Sequence, residues 1–127
     1  MRRLAALLFL LSPSVIAGCP STEPTLANVQ EEVFTLSCAF STCHGDAQEA
    51  ELGLTDEATS AAELINVEAF EIPGEIRVIP GDSEGSLLYQ VLEADVGVVR
   101  KMPVNSQVTP DQAALVAAWI DAGAPDE

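Results

Sequence analysis

The sequence predicts an all-α domain of three or four short helices joined by long loops. Apolar residues recur at the three- and four-residue spacing of a helix face in separate stretches of the chain. Residues that cap helices stand directly before these stretches. Two intervening loops are long for so small a domain, and such loops are uncommon unless they are disordered or wrap around something.

The first predicted helix follows Thr25, which can cap it, and delivers the chain to the first cysteine of the domain. The last begins with a Thr cap, a Pro at the first position and a Gln three residues after the cap, and it stops at a glycine. In chain order, the predicted helices are Thr25 to Ser37, Asp56 to Ile65, Glu84 to Ala94 with Asp82 or Ser83 as cap, and Thr109 to Ala122.

Each amphipathic stretch identifies the residues expected in the core. The predicted buried faces are Leu26, Val29, Val33 and Leu36; Leu87, Leu88, Val91 and Leu92; and Leu115, Val116, Trp119 and Ile120. The remaining segments are an acidic loop over residues 45–54, an extended or turn-rich crossing over residues 70–80, and a second loop over residues 97–108.

The N-terminus has the layout of a bacterial lipoprotein signal. Two arginines precede a short apolar run, which is well below the ~20 residues needed to span a bilayer. Ile16-Ala17-Gly18-Cys19 then resembles a lipobox, in which cleavage precedes an acylated cysteine. We therefore expect a signal peptide at 1–18, a lipid anchor and linker at 19–24, and a domain at 25–124. The alternative is an ordinary secretory signal that leaves Cys19 as a free thiol.

Lipidation at Cys19 would make this an exported protein, anchored to a bacterial membrane and facing the periplasm or the cell surface. Multiple acyl chains make such an anchor stable. The chain has 20 acidic residues against 5 basic ones, and Arg2 and Arg3 would leave with the signal. So few cations could not neutralise a nucleic acid backbone, which excludes nucleic acid as a partner. An acidic surface keeps the protein soluble and would favour a basic partner.

The segment from Cys38 to His44 carries the strongest chemical signal, because a histidine directly follows its second cysteine. Cys-x-x-Cys-His is the attachment signature of c-type haem, and here four residues separate the cysteines. In a regular helix Cys38 and Cys43 would lie about 140° apart around the axis, so they would not face one porphyrin edge. We therefore expect residues 39–42 to loop outward.

Composition supplies a second pointer, because His44 is the only histidine and Met102 the only methionine after the signal peptide. A haem iron with histidine on one side commonly takes methionine on the other when the task is electron transfer. A lone methionine can equally fill a gap in a core. Met102 stands in a polar loop, after a basic pair and before Pro103, which favours a role as a ligand.

The order of helix, Cys-Cys-His, long loops, Met-Pro and terminal helix resembles that of small monohaem class I cytochromes c found as bacterial lipoproteins. Variants with four residues between the cysteines are known among cytochromes. The resemblance implies a cytochrome c-like bundle around one covalent haem c, with thioethers at Cys38 and Cys43 and iron ligands at His44 and Met102. It implies an electron carrier for redox partner proteins and no enzyme.

Other functions remain open. A haem-free lipoprotein could join Cys38 and Cys43 in a disulfide and act as a structural or binding module. A gas sensor could keep the haem and release Met102 from it. Zinc would need a fourth ligand and a different spacing, and hydrolytic chemistry lacks a second histidine. Tyr89 and Arg77 could bind a haem propionate, although core packing for Tyr89 and a surface ion pair for Arg77 are the simpler expectations.

Overall fold

The computed structural model of the protein describes residues 22–127, so the expected signal peptide and Cys19 lie outside the described residues. Across this range the chain forms helices and isolated bridges and no strands, which confirms the all-α expectation. Within it, no helix has the length and apolar character needed to cross a membrane. The helices are α1 (Leu26–Val29), a π-helical segment (Gln30–Phe34), α2 (Thr35–Ser37), α3 (Glu57–Leu64), α4 (Leu87–Glu93) and α5 (Pro110–Asp121), with a 3-10 turn at Glu49–Glu51.

The first predicted helix is continuous, but a π-helical segment interrupts its regular spacing. Thr25 caps it as expected, its hydroxyl accepting from the Asn28 amide at 3.2 Å. The wider π turn shifts the residues after it around the axis. The expectation that Leu36 is buried is therefore wrong: Phe34 takes the inward position and Leu36 is 63% exposed. The same shift brings Cys38 against the core.

The terminal helix α5 supplies the centre of the core and packs against α1. Thr109 and Gln112 form the expected capping box, and Pro110 occupies the first helical position. Trp119 is fully buried, and its indole N–H donates to the Pro125 carbonyl at 2.9 Å. The main cluster of buried apolar residues is Leu26, Val29, Val33, Phe34, Leu54, Leu64, Val78, Leu92, Leu115, Val116, Trp119, Ile120 and Ala124.

Helix α4 begins later than predicted, and neither Asp82 nor Ser83 caps it. Ser86 occupies the N-cap position without a side-chain capping bond. Asp82 accepts from the Gly85 amide at 2.9 Å, and the Ser83 amide donates to Asp121 at 2.9 Å, so both residues are used in the preceding turn. Ser86 closes that turn by donating to the Asp82 carbonyl at 2.6 Å.

The crossing over residues 70–80 is turn-rich, as expected, and is fixed by isolated bridges to the end of α3. A second, smaller cluster joins this crossing to α4 and the loop at 97–108. Its buried members are Ala69, Leu87 and Val91, with Ile72, Val96, Val99 and Met102 packed against them. The domain therefore has two apolar clusters with long loops between them.

Gln30 is a buried polar residue that joins three parts of the fold. Its amide nitrogen donates to the Leu54 carbonyl at 2.8 Å, and its amide oxygen accepts from the buried Ser60 hydroxyl at 2.7 Å. Gln30→Met would leave both partners buried without a hydrogen bond. We expect it to lower the free energy of unfolding by about 2 kcal/mol, as measured by denaturant titration.

Adding Ser60→Ala to Gln30→Met removes one of the two unsatisfied groups, so the double variant should be more stable than Gln30→Met alone. Equal stability of Gln30→Met and the wild type would contradict the importance of this network.

Candidate functional site

An open cavity of about 660 Å³ lies between the two apolar clusters and is lined by both long loops. Its volume is typical of sites that hold a small molecule or a cofactor. The structure brings the predicted site residues Cys38, Cys43, His44 and Met102 together on the wall of this one cavity. The first three come from the loop after the N-terminal helix and the last from the loop before α5.

The loop between the two cysteines bulges as the spacing requires. Cys38 leaves the helical conformation, and its carbonyl accepts from the His44 amide at 3.2 Å. This bond joins the two ends of the segment, so residues 39–43 loop out between them. A tighter turn inside the loop connects the Cys43 amide to the Phe40 carbonyl at 2.9 Å. Both cysteines therefore reach the same cavity without lying on one face of a helix.

Gly45 permits this loop to close, and the sequence analysis did not identify it. A Cβ atom at this position would lie 2.6 Å from the Ala39 carbonyl oxygen and 2.8 Å from that of Phe40. The Gly45 amide also donates to the Phe40 carbonyl at 3.0 Å. The only signal in the sequence was a glycine directly after Cys43-His44.

The His44 imidazole has a defined orientation. Its Nδ1 lies 3.1 Å from the Leu52 carbonyl oxygen, which can only accept a hydrogen bond. The neutral ring therefore carries its proton on Nδ1, and Nε2 keeps a lone pair. A backbone carbonyl on the far nitrogen is the usual partner of a histidine that binds a metal. The His44 carbonyl accepts from the Leu54 amide at 2.7 Å, which also fixes the backbone.

The two cysteines are thiols in different environments, and their sulfurs are not bonded to each other. Cys43 is exposed, with its sulfur 3.8 Å from the Thr42 hydroxyl. Cys38 is half-buried against the core. Burial, with a smaller contribution from the nearby Cys43, raises the pKa of the Cys38 thiol to about 12. Cys38 is therefore protonated at neutral pH, which disfavours thiolate ligation of a metal ion.

Zinc is further disfavoured by the donor arrangement. Across residues 22–127 there is no group of three or more His, Cys, Asp or Glu side chains that could hold a metal ion. A structural zinc site needs four such ligands in a tetrahedron.

Met102 is held in place by its backbone. Its amide donates to the Val91 carbonyl of α4 at 2.7 Å. A tight turn precedes it, in which Val96 and Val99 bond to each other, and the Lys101 amide donates to Asp95 at 2.7 Å. Met102 packs against both apolar clusters and also lines the cavity. It thus fills a core gap at the point where the two clusters meet and still has a face toward the cavity.

The rim of the cavity is unusually apolar for a surface in water. In the part of the chain that the structure describes, five large apolar side chains are exposed, and each of them lines this cavity. An exposed apolar patch of this kind marks a binding site. These residues are Leu36, Phe40, Phe70, Val98 and Val104.

Positive charge is concentrated at the same cavity. Arg77 and Arg100 line its wall and Lys101 adjoins it, and these are the basic residues of the described range. The expected surface ion pair of Arg77 is wrong. Its side chain is buried and donates to three backbone carbonyls, and burial lowers the pKa of its guanidinium. Tyr89 packs against the core, as expected, and is not part of the cavity wall.

Comparison of the chain with family models, with curated proteins and with solved structures gives no significant match.

The closed loop gives a direct test. Gly45→Ala would force a Cβ against two backbone carbonyls, and we expect it to lower the free energy of unfolding by about 2 kcal/mol. Because His44 is the only histidine, its ring signals in an NMR spectrum should also shift.

Gly53→Ala is the matched control, because its Cβ would meet only the ends of side chains, at 3.2 Å or more. It should cost clearly less stability than Gly45→Ala. If the two variants lose the same amount of stability, the close contact of a Cβ at Gly45 with the loop carbonyls is not the cause of that loss.

Proposed function

We propose that the protein is a monohaem c-type cytochrome that transfers single electrons between redox partners. The observation that carries the proposal is the set of exposed apolar side chains, which all surround one cavity. Burying their surface under a large flat apolar group would contribute about 25 cal/mol for each Å² removed from water. A porphyrin is such a group, and the donors on the same cavity wall are the kinds that attach it and bind its iron.

The residues present fit a haem. Cys38 and Cys43 would hold it, each thiol adding across a vinyl double bond, with the sulfur bonded to one carbon and a hydrogen to the other. His44 Nε2 and the Met102 thioether would be the iron ligands. The bound group would supply one-electron chemistry between Fe(III) and Fe(II), with its potential raised by the methionine. With His44 and Met102 both bound to the iron, no position on it would remain open for a substrate.

The charges of the cavity support the same occupant. A haem carries two propionate groups, and Arg77 and Arg100 place positive charge on the wall of an otherwise acidic domain. The 20 acidic residues lie within residues 22–127. They would attract a basic redox partner over long distances, with an association that weakens as salt is added. We propose in addition that the redox partner is basic, and that the protein is exported and anchored through a lipid on Cys19.

The strongest rival is a haem-free lipoprotein with a Cys38–Cys43 disulfide. That function would leave the exposed apolar rim without an occupant and the orientation of His44 without a use. A gas sensor would use the same haem and differ only in the release of Met102. Covalent attachment of haem and binding of carbon monoxide distinguish these functions.

The first experiment tests for covalent haem. The full chain, expressed with the bacterial haem-maturation machinery, should be red, and its haem should survive extraction with acid acetone. Cys38→Ala and Cys43→Ala should each reduce the covalently bound haem, measured by mass spectrometry, because each removes one attachment point. A colourless wild type with the mass of the disulfide form would refute the cytochrome and favour the rival.

The second experiment tests Met102. Met102→Ala should keep the haem, lower its reduction potential and let the ferrous protein bind carbon monoxide, because the thioether no longer occupies the iron. Val104→Ala is the control, since it removes an apolar side chain from the same cavity and no ligand. Rapid carbon monoxide binding by the wild type would contradict the electron carrier and favour the sensor.

A further inference from the structure

The acidic loop after His44 contains a short segment with a strained backbone. None of its four residues is glycine, yet three of them have a positive φ: Gln48 at 47°, Ala50 at 58° and Glu51 at 54°. Such residues persist in the left-handed region only when the surrounding structure holds them there. We refer to this stretch as segment 48–51.

The start of this segment is held by the Glu49 amide, which donates to the Cys43 carbonyl at 3.0 Å, and its end is held by the Arg77 side chain. One of its terminal nitrogens, Nη2, donates to the Ala50 carbonyl at 2.9 Å and to the Glu51 carbonyl at 3.1 Å. The other, Nη1, donates to the Glu63 carbonyl in the last turn of α3 at 2.8 Å. The guanidinium thus spans two parts of the fold with its rigid fork, which a single ammonium group cannot reproduce.

Arg77 can act as an anchor because its own backbone is fixed. Its amide donates to the Val67 carbonyl at 2.8 Å, and its carbonyl accepts from the Leu88 amide in α4 at 2.9 Å. The side chain is only 7% exposed. Segment 48–51 is therefore attached, through one buried side chain, to α3 and α4.

The residue that follows segment 48–51 is Leu52, whose carbonyl accepts the hydrogen bond from His44 Nδ1. Because Leu52 follows it directly, segment 48–51 helps to place that carbonyl, and on the other side of Leu52 the Leu54 amide donates to the His44 carbonyl at 2.7 Å. We infer that Arg77 is a positioning residue for His44: by holding segment 48–51 in its left-handed conformation, it presents the Leu52 carbonyl to the imidazole and fixes which nitrogen faces the cavity. Its effect on a haem iron rests on the proposed function, whereas its effect on the His44 proton does not.

The test uses Arg77→Lys in the full chain, because lysine keeps the charge and loses the fork. His44 is the only histidine, so the exchange of its Nδ1 proton with solvent can be followed by NMR without assigning others. We expect exchange about tenfold faster in Arg77→Lys, because the hydrogen bond that protects the proton is loosened. The control is Arg100→Lys. Arg100 lines the same cavity but is exposed and, among the described residues, donates no side-chain hydrogen bond; this variant should leave the exchange unchanged.

The reduction potential of the haem-loaded protein gives a second readout. The bond from Nδ1 makes the imidazole a stronger donor to the iron and favours Fe(III), so loosening it should raise the potential in Arg77→Lys. If Arg77 acted only through its charge, Arg77→Lys would leave the potential unchanged. Unchanged exchange together with unchanged potential would overturn the inference.

A variant in segment 48–51 distinguishes a positioning role of Arg77 from a general loss of stability. Ala50→Gly removes the steric cost of a positive φ, so adding it to Arg77→Lys should restore much of the protection of the Nδ1 proton. Restored thermal stability without restored protection would overturn the inference. A colourless protein would refute the proposed haem and still permit the exchange measurements, so the two failures can be told apart.

Discussion

The hydrogen bond from the His44 amide to the Cys38 carbonyl closes the loop on which the candidate site depends. Without it, the four residues between the two cysteines would separate Cys38 from the adjacent pair Cys43 and His44. With it, the ends of the segment are joined, and the intervening residues project outward at little cost to the core. The closure in turn depends on Gly45, because the carbonyls of the bulged loop approach that position more closely than any Cβ allows. Four residues between the cysteines are therefore compatible with both thiols lining one cavity.

The same loop depends on the helix before it. The π-helical segment Gln30–Phe34 shifts the inward side of the helix, so that Cys38 faces the core and Leu36 faces outward. An exposed leucine is a cost to a soluble protein, unless something covers it. Leu36 lies on the cavity wall with the other exposed apolar side chains. The π-helical segment thus accounts for one member of the apolar rim, Leu36, and for the inward position of Cys38.

The features that the sequence predicted are those that depend on neighbours in the chain. The caps at Thr25 and Thr109 and the buried face of α5 follow from residues within one or two turns, and the structure has them. Two of the predictions that were wrong depend on distant partners, whereas the burial of Leu36 was changed by the π-helical segment in its own helix. Asp82 and Ser83 are drawn into a turn that contacts Asp121, and Arg77 is buried by carbonyls more than ten residues away. Cys38, Cys43 and His44 were predicted from a local motif, whereas Met102, far along the chain, was predicted because it is the only methionine after the expected signal peptide.

The loops would allow a small domain to bind a large group such as the proposed haem. Ordering loops of this length costs conformational entropy, and contacts within the loops alone do not offset that cost. Here their backbones are held by Arg77 on one side and by Val91 on the other, while Val98 and Val104 in the second loop remain exposed. The chain therefore orders the walls of the cavity in advance, and the proposed haem would bury the apolar side chains that remain exposed. A ligand that binds only the folded state stabilises that state. A covalently attached haem, as we propose, could not dissociate. The apolar surface that it covers would then stay buried in a domain with few aromatic residues of its own.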